Sequence, residues 1–153
     1  MAAGYSGSSA RKVRDDGRSR VLYHSGDLER TSWRSGHTDL SRLIQNSITW
    51  LTRGIQPVTV EGDGIVECFA WETEPGFALH IINYTNPNLH RGWLRRHYPI
   101  GPQKVRMILP ADRTVVRVEL LRSERVVSFH QTGNAVEFTV PGVEDYEVAA
   151  LYS

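Results

Sequence analysis

The sequence of 153 residues contains one cysteine, Cys68, and no long apolar run. A single cysteine excludes an internal disulfide framework and leaves a four-cysteine zinc site without ligands. No apolar stretch approaches the roughly 18 residues of a transmembrane helix, and no hydrophobic segment of a signal peptide follows Met1. We therefore expect no membrane association, and the cytoplasm is the default location.

The chain also lacks an excess of charge of either sign, because 18 Lys and Arg residues oppose 17 Asp and Glu residues. Proteins that bind nucleic acid generally carry a strong basic excess on one face, so the composition argues against that class. The length excludes a (β/α)8 barrel, which needs about 200 residues or more. With 40% apolar residues, the chain has enough material for one domain or two very small ones.

Motifs for catalysis and metal binding are scarce. None of the six histidines has the spacing that brings two imidazoles onto one ion, so we predict no metal and no cofactor. Glu67, Glu72 and Glu74 are the obvious local carboxylates, but nothing near them supplies the apolar pocket that would turn one into an acid catalyst. We predict no catalytic residue, and a small hydrolase that uses Glu72 or Glu74 is the least favoured hypothesis.

The order of residue types predicts three segments. Residues 1–20 are rich in Gly, Ser, Ala and Arg with few apolar side chains, which predicts a disordered basic lead-in. Residues 21–54 contain a short strand at 20–24, an irregular stretch, and a helix with Thr38 as its N-cap. The apolar residues of that helix recur at helical spacing: Leu40, Leu43, Ile44, Ile48 and Leu51.

Residues 55–153 change to short runs of period two separated by turn residues, which predicts a small antiparallel β-sandwich. The fold class is therefore mainly β, preceded by a strand and a helix that form one half of an α/β repeat. The predicted strands are Pro57–Glu61, Ile65–Thr73, Phe77–Thr85, Val105–Leu109, Thr114–Arg122, Val126–Gln131, Ala135–Val140 and Tyr146–Tyr152.

The longest irregular segment, residues 86–104, combines aromatic, basic and histidine side chains, and long loops of this kind are usually functional or mobile. Aromatic rings stack on the apolar faces of pyranose sugars, while Arg and His donate hydrogen bonds to hydroxyl groups. Trp50 and Trp71 are assigned instead to packing. The candidate substrate-binding residues are Trp33, Trp93, Arg95, His97 and Tyr98.

Several ordered motifs resemble one group of enzymes. The segments Gly26–Trp33 and Arg34–Leu43 resemble the end of the trimerisation domain of bacterial glycoside hydrolases related to family 42 β-galactosidases. The motifs of residues 55–153 are similar to the small C-terminal β-domain of the same proteins, and closest to the group called hypothetical glycosyl hydrolase 6. These motifs are Val60–Gly62, Phe69–Gly76, Asn83–Pro87, Tyr98–Pro102 and Asp145–Val148, together with Glu67 and His80.

The resemblance implies that a catalytic (β/α)8 barrel precedes a flavodoxin-like trimerisation domain and the β-domain. Since the barrel does not fit into this chain, no catalytic residue of the family has a position here. The chain is then expected to be a non-catalytic accessory and assembly portion of a glycoside hydrolase. Its partners would be the catalytic barrel, as domain or separate chain, and other copies in a homo-oligomer. The alternative is a stand-alone carbohydrate-binding β-sandwich.

This interpretation makes a structural prediction. A strand and a helix cut from an α/β domain cannot cover both of their own apolar faces. We therefore expect the strand at Val21–Tyr23 and one side of the helix at Leu40–Leu51 to be incompletely covered.

Overall fold

The structure is a computed structural model that describes residues 11–86 and 96–153. Within these ranges the chain is mainly β, with antiparallel sheets and two helices. It forms two compact units that divide between Gln56 and Pro57, just after the predicted boundary at Gly54. The predicted fold class, mainly β with a small antiparallel sandwich, is confirmed.

The N-terminal unit is an antiparallel hairpin followed by two helices. Its elements are β1 (Arg11–Asp15), β2 (Arg20–His24), α1 (Leu28–Ser35) and α2 (Thr38–Leu51). Two polar contacts join β2 to α2. His24 Nε2 lies 3.1 Å from the Ser47 hydroxyl oxygen, and the Arg20 guanidinium donates to the Trp50 carbonyl oxygen at 2.6 Å.

The hairpin corrects the prediction that residues 1–20 form a disordered lead-in. Residues 1–10 lie outside the described part, but residues 11–20 form β1, a tight turn and the start of β2. Gly17 has a φ of 82° in the turn, and the Asp16 carboxylate accepts from the Ser19 N–H at 2.6 Å. Asp15 accepts from the Gly17 N–H and pairs with Arg20 at 2.7 Å. Polar side chains hold this turn, and apolar burial does not. A composition with few apolar residues indicates disorder because it does not reveal such polar contacts.

The same hydrogen bonds perturb the two turn carboxyls. The Gly17 N–H, followed by Arg20, lowers the pKa of Asp15, and the Ser19 N–H lowers the pKa of Asp16. Both carboxyl groups are therefore ionised at neutral pH, and in that form they accept the hydrogen bonds of the turn.

Helix α1 occupies the stretch that was predicted to be irregular. Asp27 accepts a hydrogen bond from the Arg30 N–H at 3.2 Å as the N-cap, and Gly36 ends the helix at a φ of 63°. The helix was missed because its eight residues carry too few apolar positions for a recognisable stripe. The predicted N-cap of α2 is also wrong, since His37 occupies that position without a side-chain bond and Thr38 is the first helical residue.

The C-terminal unit is a sandwich of two antiparallel sheets. One sheet has four strands in the order β3-β6-β10-β9, and the other has five in the order β4-β5-β11-β7-β8. The strands are β3 (Val58–Glu61), β4 (Val66–Thr73), β5 (Gly76–Asn83), β6 (Gln103–Ile108), β7 (Arg117–Leu120), β8 (Arg125–Val127), β9 (Phe129–Thr132), β10 (Ala135–Val140) and β11 (Tyr146–Tyr152).

Alternate residues of both sheets point inward and form the core. Ten central members are Leu79, Ile81, Val118, Leu120 and Leu151 from the five-stranded sheet, and Val105, Met107, Val136, Phe138 and Val140 from the four-stranded sheet. Burial of these aliphatic and aromatic side chains is the main favourable term in the stability of the unit.

Most predicted strands lie within two residues of the observed bounds, but two predicted strands differ more from the structure. The run Val126–Gln131 is divided at Ser128 into β8 and β9, which belong to different sheets. The run Thr114–Arg122 contributes strand only over Arg117–Leu120. A period of two cannot show where a strand leaves one sheet for the other, because the alternation continues through the crossing.

Candidate functional site

The predicted binding residues fall in three places. Trp93 and Arg95 lie outside the described residues. Trp33 belongs to α1 of the N-terminal unit, where 83% of its surface is exposed. His97 and Tyr98 lie in the sandwich unit, just before the bridge between Ile100 and Val143.

Tyr98 is held in place by a buried amide. Asn83, at the end of β5, donates from Nδ2 to the Tyr98 carbonyl oxygen at 2.8 Å and to the Glu144 carbonyl oxygen at 2.7 Å. The Arg96 guanidinium lies over the Tyr98 ring, 5.7 Å from its centre. The backbone at Tyr98 is thus fixed against β5, and its ring carries a cation on one face.

His97 adjoins a charged pair at the same end of the sandwich. Burial raises the pKa of Asp145, but hydrogen bonds from the Tyr146 N–H and its own N–H, with Arg122 and His97, outweigh burial and hold the pKa below its usual value. Arg122 lies 2.9 Å from the Asp145 carboxylate. A carboxyl that is ionised at neutral pH is suited to accepting hydrogen bonds and cannot serve as a general acid there.

The carboxylates considered for hydrolysis do not form an acid–base pair around a pocket. Glu72 forms an ion pair with Arg113 at 2.9 Å, and 58% of its side chain is exposed. Glu67 and Glu74 are also exposed. A glycosidase needs two carboxyls about 5 to 10 Å apart, one of them in an apolar pocket, and the surroundings of Glu72 do not supply such a pocket.

A shallow concave surface on the outer side of the four-stranded sheet was not predicted. It encloses about 910 Å³. Outward residues directly opposite one another form a row across all four strands: Thr59, Arg106, Glu137 and His130. A second row contains Glu61, Lys104 and Thr139. The alternation of polar and apolar residues in each strand is the pattern from which this polar outer surface could have been predicted.

The chemistry of this concave surface is hydrogen bonding rather than stacking. Arg106 and Glu137 form an ion pair at 3.3 Å near its centre. The aromatic residues among its lining, Phe129 and Phe138, pair with each other across β9 and β10 on the core side of the sheet. Among the described residues that line this surface, none therefore offers an exposed aromatic ring for stacking on a sugar.

The N-terminal unit has a different character, because none of its described residues from 12 to 56 is buried. Val21 and Tyr23 on β2 are 54% and 57% exposed, and Ile48 on α2 is 50% exposed. The prediction that the β2 strand and one side of α2 are incompletely covered agrees with these exposures. Residues 12–56 therefore form no buried core among themselves.

Metal-binding and membrane-spanning features are not found in the described ranges. Residues 11–86 and 96–153 contain no group of three His, Cys, Asp or Glu side chains that could hold a metal ion. In the same ranges, no helix is long and apolar enough to cross a membrane. Cys68 is half-buried against the core, and burial, with a smaller effect of Glu67, raises the pKa of its thiol.

The fold is shared with part of a glycoside hydrolase. The α-L-fucosidase isoenzyme 2 from Paenibacillus thiaminolyticus superposes with a TM-score of 0.69 at 20% sequence identity over 86% of this chain. The match covers 21% of that protein, so this chain corresponds to about a fifth of its length. The sequence matches no protein-family model and no curated protein.

The extent of this match bears on the N-terminal unit. The sandwich unit alone makes up less than two thirds of the chain, whereas the match covers 86%. The superposed residues must therefore include part of the segment before Pro57. At this level of identity the similarity establishes the fold and leaves the activity to be tested.

Proposed function

We propose that this chain is a non-catalytic accessory and assembly portion of a glycoside hydrolase. In this proposal residues 21–54 are the end of a flavodoxin-like trimerisation domain, and residues 55–153 are the C-terminal β-domain of an enzyme related to family 42 β-galactosidases. The partners are the catalytic (β/α)8 barrel, as a domain or a separate chain, and further copies in a homo-oligomer. The proposed location is the cytoplasm.

The observation that carries the proposal is the absence of a buried residue between positions 12 and 56. Ordering a residue costs about 1 to 2 kcal/mol of backbone entropy, and apolar burial normally offsets that cost. Val21, Tyr23 and Ile48 are half exposed instead. Contact with further protein would bury them, which supports a role in domain packing.

The likeness to a fifth of an α-L-fucosidase gives separate support. In that enzyme the shared fold accompanies a much larger remainder. This relation of sizes supports the proposal that the chain is a non-catalytic module of a larger glycosidase.

Two measurements on the purified 153-residue chain test the proposal. The chain is expected to leave nitrophenyl β-galactosides and nitrophenyl α-L-fucosides uncleaved, and to self-associate in analytical ultracentrifugation. Sequencing the DNA upstream of the Met1 codon should reveal a reading frame for a (β/α)8 barrel. A cooperatively melting monomer that cleaves either glycoside would overturn the proposal.

The second candidate function, a stand-alone carbohydrate-binding module, is favoured by the concave polar surface around Arg106 and Glu137. Such a module should show saturable quenching of tryptophan fluorescence by a saccharide. If Trp93 is the stacking residue, Trp93→Ala should abolish the quenching. A pure assembly module should show no quenching.

A further inference from the structure

The outer face of the five-stranded sheet has an exposed apolar area around Trp71, although Glu67 and His80 lie on the same face. Trp71 on β4 is 61% exposed, and Phe69, two residues earlier on the same face, is 42% exposed. The residues opposite Trp71 in successive strands are Ala78, Ala150, Glu119 and Val126. An exposed sheet face of a soluble protein normally carries polar side chains at such positions.

The four-stranded sheet provides the internal comparison. Its outward rows consist of charged, hydroxyl and imidazole side chains, such as Arg106, Glu137 and Thr139. Both sheets belong to one sandwich and share one core. The two outer faces of one sandwich therefore offer different side chains for contact. A contiguous exposed apolar patch marks an interaction surface.

Two ion pairs lie on or beside the apolar area, and Glu67 is a further exposed charge at its end. Arg117 pairs with Glu119 at 3.1 Å, and its guanidinium lies 4.2 Å from the centre of the Tyr152 ring. Arg122 pairs with Asp145 and lies over the Tyr146 ring at 5.0 Å. A partner therefore needs no countercharge for these groups, and two copies of the face would not repel each other through them.

The relief of the face is self-complementary. Trp71 is directly opposite Ala78, and Ala78 is directly opposite Ala150. With strands about 4.8 Å apart, the two small side chains leave a depression roughly 10 Å wide beside the indole. A twofold contact would put the Trp71 ring of each copy over the two alanines of the other. Isologous interfaces require a surface that fits itself in this way.

The face lies near the lower size limit of specific interfaces between proteins. Five strands with about 30 residues, at about 3.4 Å per residue and 4.8 Å between strands, cover ~500 Å² in projection. The accessible area that follows the side-chain relief is larger. Stable interfaces bury about 800 Å² on each partner, so the face lies at the low end of that class, and we expect a weak dimer with a dissociation constant in the micromolar range.

We propose that the outer face of the five-stranded sheet binds the same face of a second copy of this chain. The contact centres on Trp71, seated over Ala78 and Ala150 of the other copy. This inference rests on the proposed assembly function and adds a contact between copies through the sandwich to the one expected from residues 21–54.

The test is sedimentation equilibrium of the 153-residue chain from about 1 to 100 μM, which brackets a micromolar dissociation constant. The wild-type chain is expected to dimerise. Trp71→Asp should weaken dimerisation by about 30-fold or more, the loss typical of a central aromatic contact. Thr139→Asp adds the same charge to the exposed face of the other sheet and is the matched control, with no expected change. Circular dichroism checks that each variant is folded.

Three outcomes would overturn the inference. A wild-type chain that stays monomeric over this range would do so directly. If Trp71→Asp dimerises normally while Tyr23→Asp does not, self-association belongs to the N-terminal unit, and the assembly function survives without this surface. If a galactoside or fucoside quenches tryptophan fluorescence in the wild-type chain but not in Trp71→Asp, and competes with dimerisation, the occupant of the face is a saccharide rather than a second copy.

Discussion

Asn83 is the side chain that connects the Tyr98 segment to the sandwich. It is 4% exposed, its Nδ2 group lies within hydrogen-bond distance of the carbonyl oxygens of Tyr98, Val143 and Glu144, and its Oδ1 accepts from the Thr85 N–H. Four backbone groups therefore depend on one amide. Its donors and acceptor cannot be exchanged without leaving a buried polar group unpaired.

We expect Asn83→Asp to destabilise the sandwich by about 2 kcal/mol or more, because a carboxylate of the same shape would face three carbonyl oxygens. The measurement is the free energy of unfolding in urea. Asn46→Asp, at an exposed position of α2, is the matched control and should change that free energy by less than about 0.5 kcal/mol. Equal values for the two variants would contradict the role of Asn83.

The structure gives the positions of two predicted binding residues, whose role in binding stays a prediction. His97 and Tyr98 were singled out because they lie together in one loop with aromatic and basic neighbours. Asn83 and Asp145 were quoted only as parts of motifs, because their function depends on contacts that are 15 and 61 positions apart in the chain for the Asn83 amide. Residue types and local spacing do not reveal which distant backbone groups a buried amide will meet.

Among the elements, the β4–β5 hairpin depends most clearly on one glycine. Gly76 begins β5 with a φ of 146°, and a Cβ atom placed there would overlap the carbonyl oxygen of Leu151 in the neighbouring strand β11. The backbones of β5 and β11 pair from Tyr152 opposite Gly76 onward. A side chain at Gly76 would disturb both the turn and this pairing.

Gly76→Ala is expected to lower the free energy of unfolding by about 2 kcal/mol or more, from backbone strain together with the steric overlap. Gly101→Ala is the matched control, since its added Cβ meets no atom within 4 Å and its φ is not in the left-handed region. Thermal unfolding of both variants, followed by circular dichroism, measures the difference. A Gly76→Ala midpoint equal to that of Gly101→Ala would show that the hairpin tolerates the side chain.

The elements also show what periodicity can and cannot predict. The runs Ala135–Val140 and Tyr146–Tyr152 were predicted with the bounds that the structure has, because alternation and turn residues mark both ends. The division of residues 125–132 between two sheets was not predicted, and neither was β1. In each case the deciding interaction is a pairing partner or a side-chain hydrogen bond rather than a hydrophobic pattern.

At the scale of the whole molecule, the two units differ in how they are stabilised. The sandwich has a continuous core with Leu79, Ile81, Val118 and Val136 fully buried. The N-terminal unit has no buried residue from 12 to 56. The sequence predicted the exposed strand and helix face because a lone strand and helix cannot enclose two apolar faces. It did not predict the exposed apolar area around Trp71, because a single tryptophan in a strand is equally compatible with the core and with the outer face.

This difference predicts unequal protection from hydrogen exchange. Amides of β5, β10 and β11 should exchange only through large openings, since these strands are paired on both sides and line the core. Amides of β2 and α2 should exchange through local openings that cost little free energy, because no burial opposes them. Mass spectrometry of peptides from the 153-residue chain, below the dimerisation range, measures both. Equal protection of α2 and β11 under these conditions would mean that residues 12–56 are stable without a buried core. The proposal that further protein covers them would then lose its basis.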